Sequence, residues 1–137
     1  MIISTKGRYA LRVMIDMARH ADAQPIPLKD IAARQEISEK YLEAILKLLV
    51  QHGLVAGSRG KNGGYRLTRS PADYTAWDII SAAENSLYAV ECLTPNAAAC
   101  SRAAHCATLP MWKAFNENVG QFFSGYTLEE LAKTADA

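Results

Sequence analysis

At 137 residues, half of them hydrophobic and 21% charged, the chain suits one ordinary globular domain and is too apolar for a disordered segment. No uninterrupted apolar run approaches the roughly 20 residues of a membrane span, and Lys6, Arg8 and Arg12 come early with no apolar signal core behind them, so a cytoplasmic protein without membrane contact is expected. The net charge of +1 conceals an asymmetry: residues 1–70 carry twelve Lys/Arg and six Asp/Glu, the remainder three and eight, the pattern expected when only the first half meets a polyanion.

Ser4 and Thr5 precede a first helix, Lys6 to His20, whose Ala10, Val13, Met14, Met17 and Ala18 recur at helical spacing. Leu11 and Ile15 broaden that stripe, so packing on more than one side is expected. Gln24-Pro25-Ile26-Pro27 ends the helix, because proline lacks the amide donor and restricts its predecessor. Leu28 to Gln35 forms a short second helix with Leu28, Ile31 and Ala32 inward, and a turn at Glu36 and Ile37 leads to Ser38. Ser38 sits where an N-cap belongs; Leu42, Ile45, Leu46 and Leu49 then form one apolar face, and Gly53 stands where a left-handed C′ residue is favoured. Leu54-Val55 and Tyr65-Arg66-Leu67 read as short strands around Ser58-Arg59-Gly60-Lys61-Asn62-Gly63-Gly64. Two helices with a tight connection followed by a basic hairpin make a winged helix-turn-helix.

The third helix would enter a DNA major groove by its N-terminal part, which places Ser38, Glu39, Lys40, Tyr41 and Glu43 nearest the bases. A carboxylate facing DNA has a use if it accepts from cytosine N4; alternatively Glu43 and Lys47 form an i, i+4 surface pair. Arg59 and Lys61 suit the narrow minor groove, and Gly60, Gly63 and Gly64 let the hairpin backbone, with Tyr65 behind it, come close to phosphate. Lys6, Arg8 and Tyr9 on the first helix are candidates for backbone phosphates, which position the protein without reading sequence.

Beyond Arg69-Ser70-Pro71 the pattern changes. Thr75 to Glu84 is a further helix with Trp77, Ile80 and Ala83 inward. Periodicity fades from Asn85 to Ala107, then Leu109, Trp112, Phe115, Val119, Phe122, Phe123 and Tyr126 form a long aromatic stripe. That stripe either folds back into its own subunit or pairs with a second copy; a two-fold dimer is the better reading, since several exposed aromatics on a monomer are costly. Thr127 caps a final short helix with Glu130 at the capping-box position. The expected organisation is mainly α with a small two-stranded β wing: a winged helix-turn-helix over residues 1–73, a helix and cysteine-bearing loop over 74–107, and a dimerisation helix with a short C-terminal helix over 108–137.

All three cysteines, Cys92, Cys100 and Cys106, lie in the aperiodic segment. Clustered thiols outside a secreted protein point to metal or redox chemistry, and soft thiolates select zinc, copper(I) or iron–sulfur clusters. His105 is the candidate fourth ligand, although its adjacency to Cys106 would strain the backbone if both reached one metal. A cluster-free thiol sensor and inert cysteines remain alternatives. So does a zinc-stabilised protein-interaction module; a thiol enzyme using Cys106 with His105 is disfavoured, because adjacent side chains rarely point at each other and no acidic partner is evident.

Ser4-Thr5-Lys6-Gly7-Arg8-Tyr9-Ala10-Leu11, the Ile37-Ser38…Tyr41-Leu42-Glu43 helix start, and Gly53-Leu54-Val55…Arg59-Gly60…Gly63-Gly64-Tyr65…Leu67 together resemble the Rrf2 family of bacterial winged-helix regulators. The resemblance covers nearly the whole chain. It implies a homodimeric transcription regulator whose long C-terminal helices cross, binding a pseudo-palindromic operator in double-stranded DNA. In cluster-bearing members three cysteines of the same loop hold an iron–sulfur cluster that alters DNA affinity, and Cys92, Cys100 and Cys106 match them in order. A 2Fe–2S cluster is the favoured form and 4Fe–4S the alternative. Leu109 stands where one branch has its ligating histidine, and Arg8 where another has an aspartate. Other relatives lack the cysteines and respond through a partner protein. The expectation is a regulator, acting as a repressor, whose affinity follows the state of the three cysteines.

Overall fold

The computed structural model describes residues 3–134. Helix α1 (Thr5–Arg19) is capped by Ser4, whose side chain accepts the Gly7 N–H. Its Ala10, Val13, Met14 and Met17 are fully buried, while Leu11, Ile15 and Ala18 pack against the core from its margin, as the broad stripe predicts. Helix α2 (Leu28–Gln35) follows Pro27 and ends on Glu36, which adopts the left-handed conformation (φ 54°) that lets the chain reverse into the next helix. Helix α3 (Glu39–Gln51) buries Leu42, Ile45, Leu46 and Leu49 completely and is closed by Gly53 at φ 71°.

The wing pairs β1 (Val55–Ser58) with β2 (Gly64–Leu67) antiparallel, Val55 opposite Leu67 and Ser58 opposite Gly64. Both strands are longer than expected. Ala56, Gly57 and Gly64 have low strand propensity but are recruited by the ladder itself, leaving Arg59 to Gly63 as the tip. Tyr65 also exchanges both backbone hydrogen bonds with Ile26, at 2.8 Å each, so the loop before α2 acts as a third edge and fixes the wing's angle. Gly64 permits this approach: a Cβ there would collide with the Ile26 carbonyl.

Helix α4 (Ala76–Ala83) starts from a capping box between Thr75 and Asp78. It buries Ile79, Ile80, Ala82 and Ala83, whereas Trp77, expected inward, is only half-buried and lies over Gly120. The buried cluster runs across residue 73 into the C-terminal half, through Tyr74, Ile79, Ala82, Ala83 and Leu128. Tyr74 is its hub: the hydroxyl donates to Leu54 O (2.8 Å) and accepts the N–H groups of Thr68 and Arg69. Helix α5 (Leu109–Ser124) buries no residue, and α6 (Leu128–Lys133), capped by the Thr127–Glu130 box, returns to seat Leu128 in the core. Backbone bonds Ala76 N–H to Tyr126 O and Leu128 N–H to Tyr74 O pin the α5–α6 corner to the start of α4.

Candidate nucleic-acid interface and cysteine segment

The buried face of α3 determines what its other face can do. With four aliphatic residues locked inward, Glu39, Lys40, Glu43 and Lys47 are all exposed. The first turn is held by Ser38, whose hydroxyl accepts the Tyr41 N–H at 3.2 Å. Between this face, the start of α2 and the wing lies an open cleft of about 700 Å³ with Glu43 and Lys47 on one wall and Arg59, Gly60, Gly63 and Gly64 on the other. The α3 charges Glu43 and Lys47 and the wing's Arg59 therefore line one concave surface, although they are far apart in sequence. Among the described residues no ion pair joins Glu43 to Lys47, so both keep their charges available. Lys61 is exposed at the hairpin tip, and Tyr65 is half-buried with its backbone committed to Ile26.

The first-helix candidates divide. Arg8 is exposed and donates to Thr5 Oγ1; Lys6 is half-buried beside Tyr41, at a cavity of about 560 Å³ between the starts of α1 and α3 and the end of α4. Tyr9 and Tyr41 pack edge-to-face with centroids 5.8 Å apart, and the Arg12 guanidinium stacks 4.7 Å above Tyr9. Their rings join α1 to the first turn of α3, and both residues are half-buried. Lys29 and Val50 line the cleft too and went unnoticed in the sequence, because neither breaks the local helical pattern.

A second group missed by periodicity fixes how α1 and α2 meet. Asp16, 2% exposed, accepts a two-pronged contact from Arg34 (2.9 and 2.8 Å) and a third bond from Gln35. The hydrogen bond to Asp16 raises the Arg34 pKa further above its already high ordinary value, against a smaller opposing effect of burial. A carboxylate at a core-facing position, with Arg and Gln on the next helix, was the available signal.

The cysteines lie on the 85–108 segment. Cys92 sits in a 3-10 turn, Glu91–Leu93; Cys100 is exposed; Cys106 is half-exposed directly after a second such turn, Ala103–His105, with His105 itself exposed. The Cys106 sulfur lies 3.5 Å from Thr108 Oγ1, and this hydroxyl, then the backbone N–H groups of Thr108 and Leu109, hold the thiol below its ordinary pKa. All three thiols are free. As donors they fit an iron–sulfur group in kind. In disposition they are not gathered: among the described residues no three His, Cys, Asp or Glu side chains are placed to hold one metal.

On α5, Met111, Phe115 and Phe122 are 54, 39 and 60% exposed, with Tyr126 just beyond at 45%. Phe115, Asn118, Val119, Phe122 and Phe123 shape a shallow apolar groove. Patches of this kind on a folded chain mark contact surfaces. No helix among the described residues is long and apolar enough to cross a membrane.

A capped, charged recognition helix set against a glycine-rich basic wing defines a winged-helix DNA-binding regulator. Comparison with known proteins specifies the kind. The Rrf2 family, described as iron-dependent transcriptional regulators, matches residues 3–134. The transcriptional regulator IscR of Vibrio atlanticus is 38% identical over 133 residues, covering 97% of this chain and 76% of the relative; that of Aliivibrio salmonicida is 39% identical over 131. Among solved structures, CymR of B. subtilis, the global cysteine regulator, superposes with a TM-score of 0.76 at 36% identity over 99% of both chains. T. potens IscR gives 0.74 at 32% identity, over 100% of this chain and 94% of its own. The chain belongs to the Rrf2 family of helix-turn-helix transcription regulators and is not an enzyme, which removes the thiol-enzyme alternative.

Proposed function

We propose that the protein is a homodimeric, sequence-specific DNA-binding repressor whose operator affinity follows the state of Cys92, Cys100 and Cys106. The cleft shared by α3 and the wing carries the first part. Glu43 and Lys47 meet a major groove while Arg59 and Lys61 reach the adjoining minor groove, with Lys6 and Arg8 toward phosphate. The exposed aromatic face of α5 supports pairing with a second copy, which would present two recognition helices to half-sites about one helical turn, or a multiple, apart.

For the sensing part, the three thiols are the residues that would hold an iron–sulfur cluster, with His105 the nearby candidate for a further ligand. When bound, such a group supplies a redox-active centre. The chain's own contribution is the segment that carries the thiols: it begins at the end of α4 and runs into the start of α5, so drawing the thiols together acts on both helices. Only a difference in stability between two arrangements of these helices can alter DNA affinity. A second reading, a cluster-free thiol sensor, is favoured by the lowered pKa of Cys106 and the ungathered thiols.

One experiment addresses both parts. A DNA site is selected from a random duplex pool by the protein, purified without oxygen, before and after incubation with iron and sulfide. A two-fold-symmetric site, with an affinity that changes as visible absorbance, iron and sulfide are taken up, is the expected result. A protein that stays colourless and iron-free removes the cluster, and a site lacking symmetry removes the paired reading. Run-off transcription from a promoter carrying the site tests repression.

A further inference from the structure

Thiol control of DNA affinity requires a connection between the cysteine segment and α3 within one subunit. We infer that Glu84 is the positioning residue that ties the start of the cysteine segment to the DNA-reading end of the fold. This rests on the proposed thiol control.

Glu84 is the C-cap of α4 and the last residue before the segment departs. Its Oε1 accepts both the N–H and the hydroxyl of Ser4, each at 2.8 Å, across 80 residues of sequence. Ser4 is the N-cap of α1, so one carboxylate oxygen closes the end of α4 onto the start of α1. The fit is close: a Cβ on Gly7, in the first turn of α1, would collide with that same oxygen. The glycine of the Ser4–Leu11 motif has its reason here, not in any turn.

From this point contacts run both ways. Toward DNA, Ser4, Thr5 and Lys6 share the cavity with Tyr41, and Tyr9 packs on Tyr41 in the first turn of α3. Tyr41 also gives its N–H to Ser38, the cap of that helix. Toward the thiols, Leu87 is buried just after Glu84, Ala89 N–H bonds Asn116 of α5 at 3.1 Å, and Cys92 follows. A change that moves the segment has a short route to α3, through the Glu84–Ser4 hydrogen bonds and the packing of Tyr9 on Tyr41. Coupling between the two ends of this route is directly measurable.

The full-length wild type, Glu84→Gln, Glu84→Ala and Gly7→Ala chains are compared for affinity to the duplex selected by the wild type, with free thiols and after incubation with iron and sulfide. Wild type is expected to differ between the states by roughly 5- to 150-fold, the range of allosteric couplings. In Glu84→Ala and Gly7→Ala the ratio falls to about one while iron per chain stays at the wild-type level. Glu84→Gln, which keeps an acceptor for Ser4, retains the ratio. An undiminished ratio in Glu84→Ala and Gly7→Ala, or a loss in Glu84→Gln equal to that in Glu84→Ala, overturns the inference. A wild type with equal affinities overturns thiol control instead. The link is then read from amide hydrogen exchange in the first turn of α3, which Glu84→Ala accelerates if the inference holds and leaves unchanged if it does not.

Discussion

Helices α3 and α5 carry comparable apolar stripes and meet opposite fates. In α3 every residue of the stripe is fully buried within its own chain; in α5 none is, and Phe122 is 60% exposed. The difference lies in what surrounds them. Helix α3 is enclosed by α1, α2, α4 and β1, whereas α5 leans on α4 through the Trp77–Gly120 contact, takes one bond at mid-helix from Ala89 N–H to Asn116, and is pinned at its C-terminal corner. Amphipathicity states that a face will be covered; it does not say by which chain. On this account α3 spends its apolar face on the fold to free a charged face for DNA, and α5 keeps its apolar face for a second copy.

The largest expected effect separates the two helices. Leu46→Ala should cost about 2–5 kcal/mol, seen in chemical denaturation at every protein concentration. Phe122→Ala should lower the melting temperature only where the wild type's own melting depends on concentration. Equal, concentration-independent losses would erase the distinction. Asp16→Ala strands Arg34 at the α1–α2 junction. Because Arg34 keeps 33% of its surface, the expected loss is about 2–3 kcal/mol, below that of a fully buried pair.

Smaller effects sharpen the charged side of α3. Arg59→Ala should weaken duplex binding for all sequences and reduce the salt slope of log K by about 1. Glu43→Ala should relax the base preference of the selected site while keeping most affinity; an unchanged site would mean Glu43 reads no base. On the cysteine segment the sign follows from the lowered pKa. Cys106 should react with iodoacetamide at a lower pH than an ordinary thiol, and Thr108→Val should shift that profile upward, as followed by mass spectrometry.

Local chemistry was legible in the sequence. Ser38 and Thr127 cap the helices expected of them, and Gly53 ends α3, because capping is decided within a few residues. Contacts between distant segments were not. The Asp16–Arg34 clamp, the Tyr74 hub and the Ser4–Glu84 bridge join residues that no periodicity relates. The wing strands outran their propensities because ladder pairing, with Ile26 as an extra edge, recruits glycines that alone signal a loop. For the site, motif spacing singled out Glu43 and Arg59, but only the fold puts them on one cleft. The cysteines were legible as a group; that their thiols are not gathered around one point was not, since sequence clustering constrains distance only loosely.

The most direct test of the division between α3 and α5 is the mass of the DNA complex by sedimentation velocity, for wild type and Phe122→Glu on the selected duplex. Two wild-type chains per duplex are expected, and Phe122→Glu is expected to be a monomeric, folded chain that has lost most of its affinity though its α3 and wing are untouched. A wild-type complex of one chain per duplex, or a Phe122→Glu chain binding as a pair with full affinity, would overturn that division.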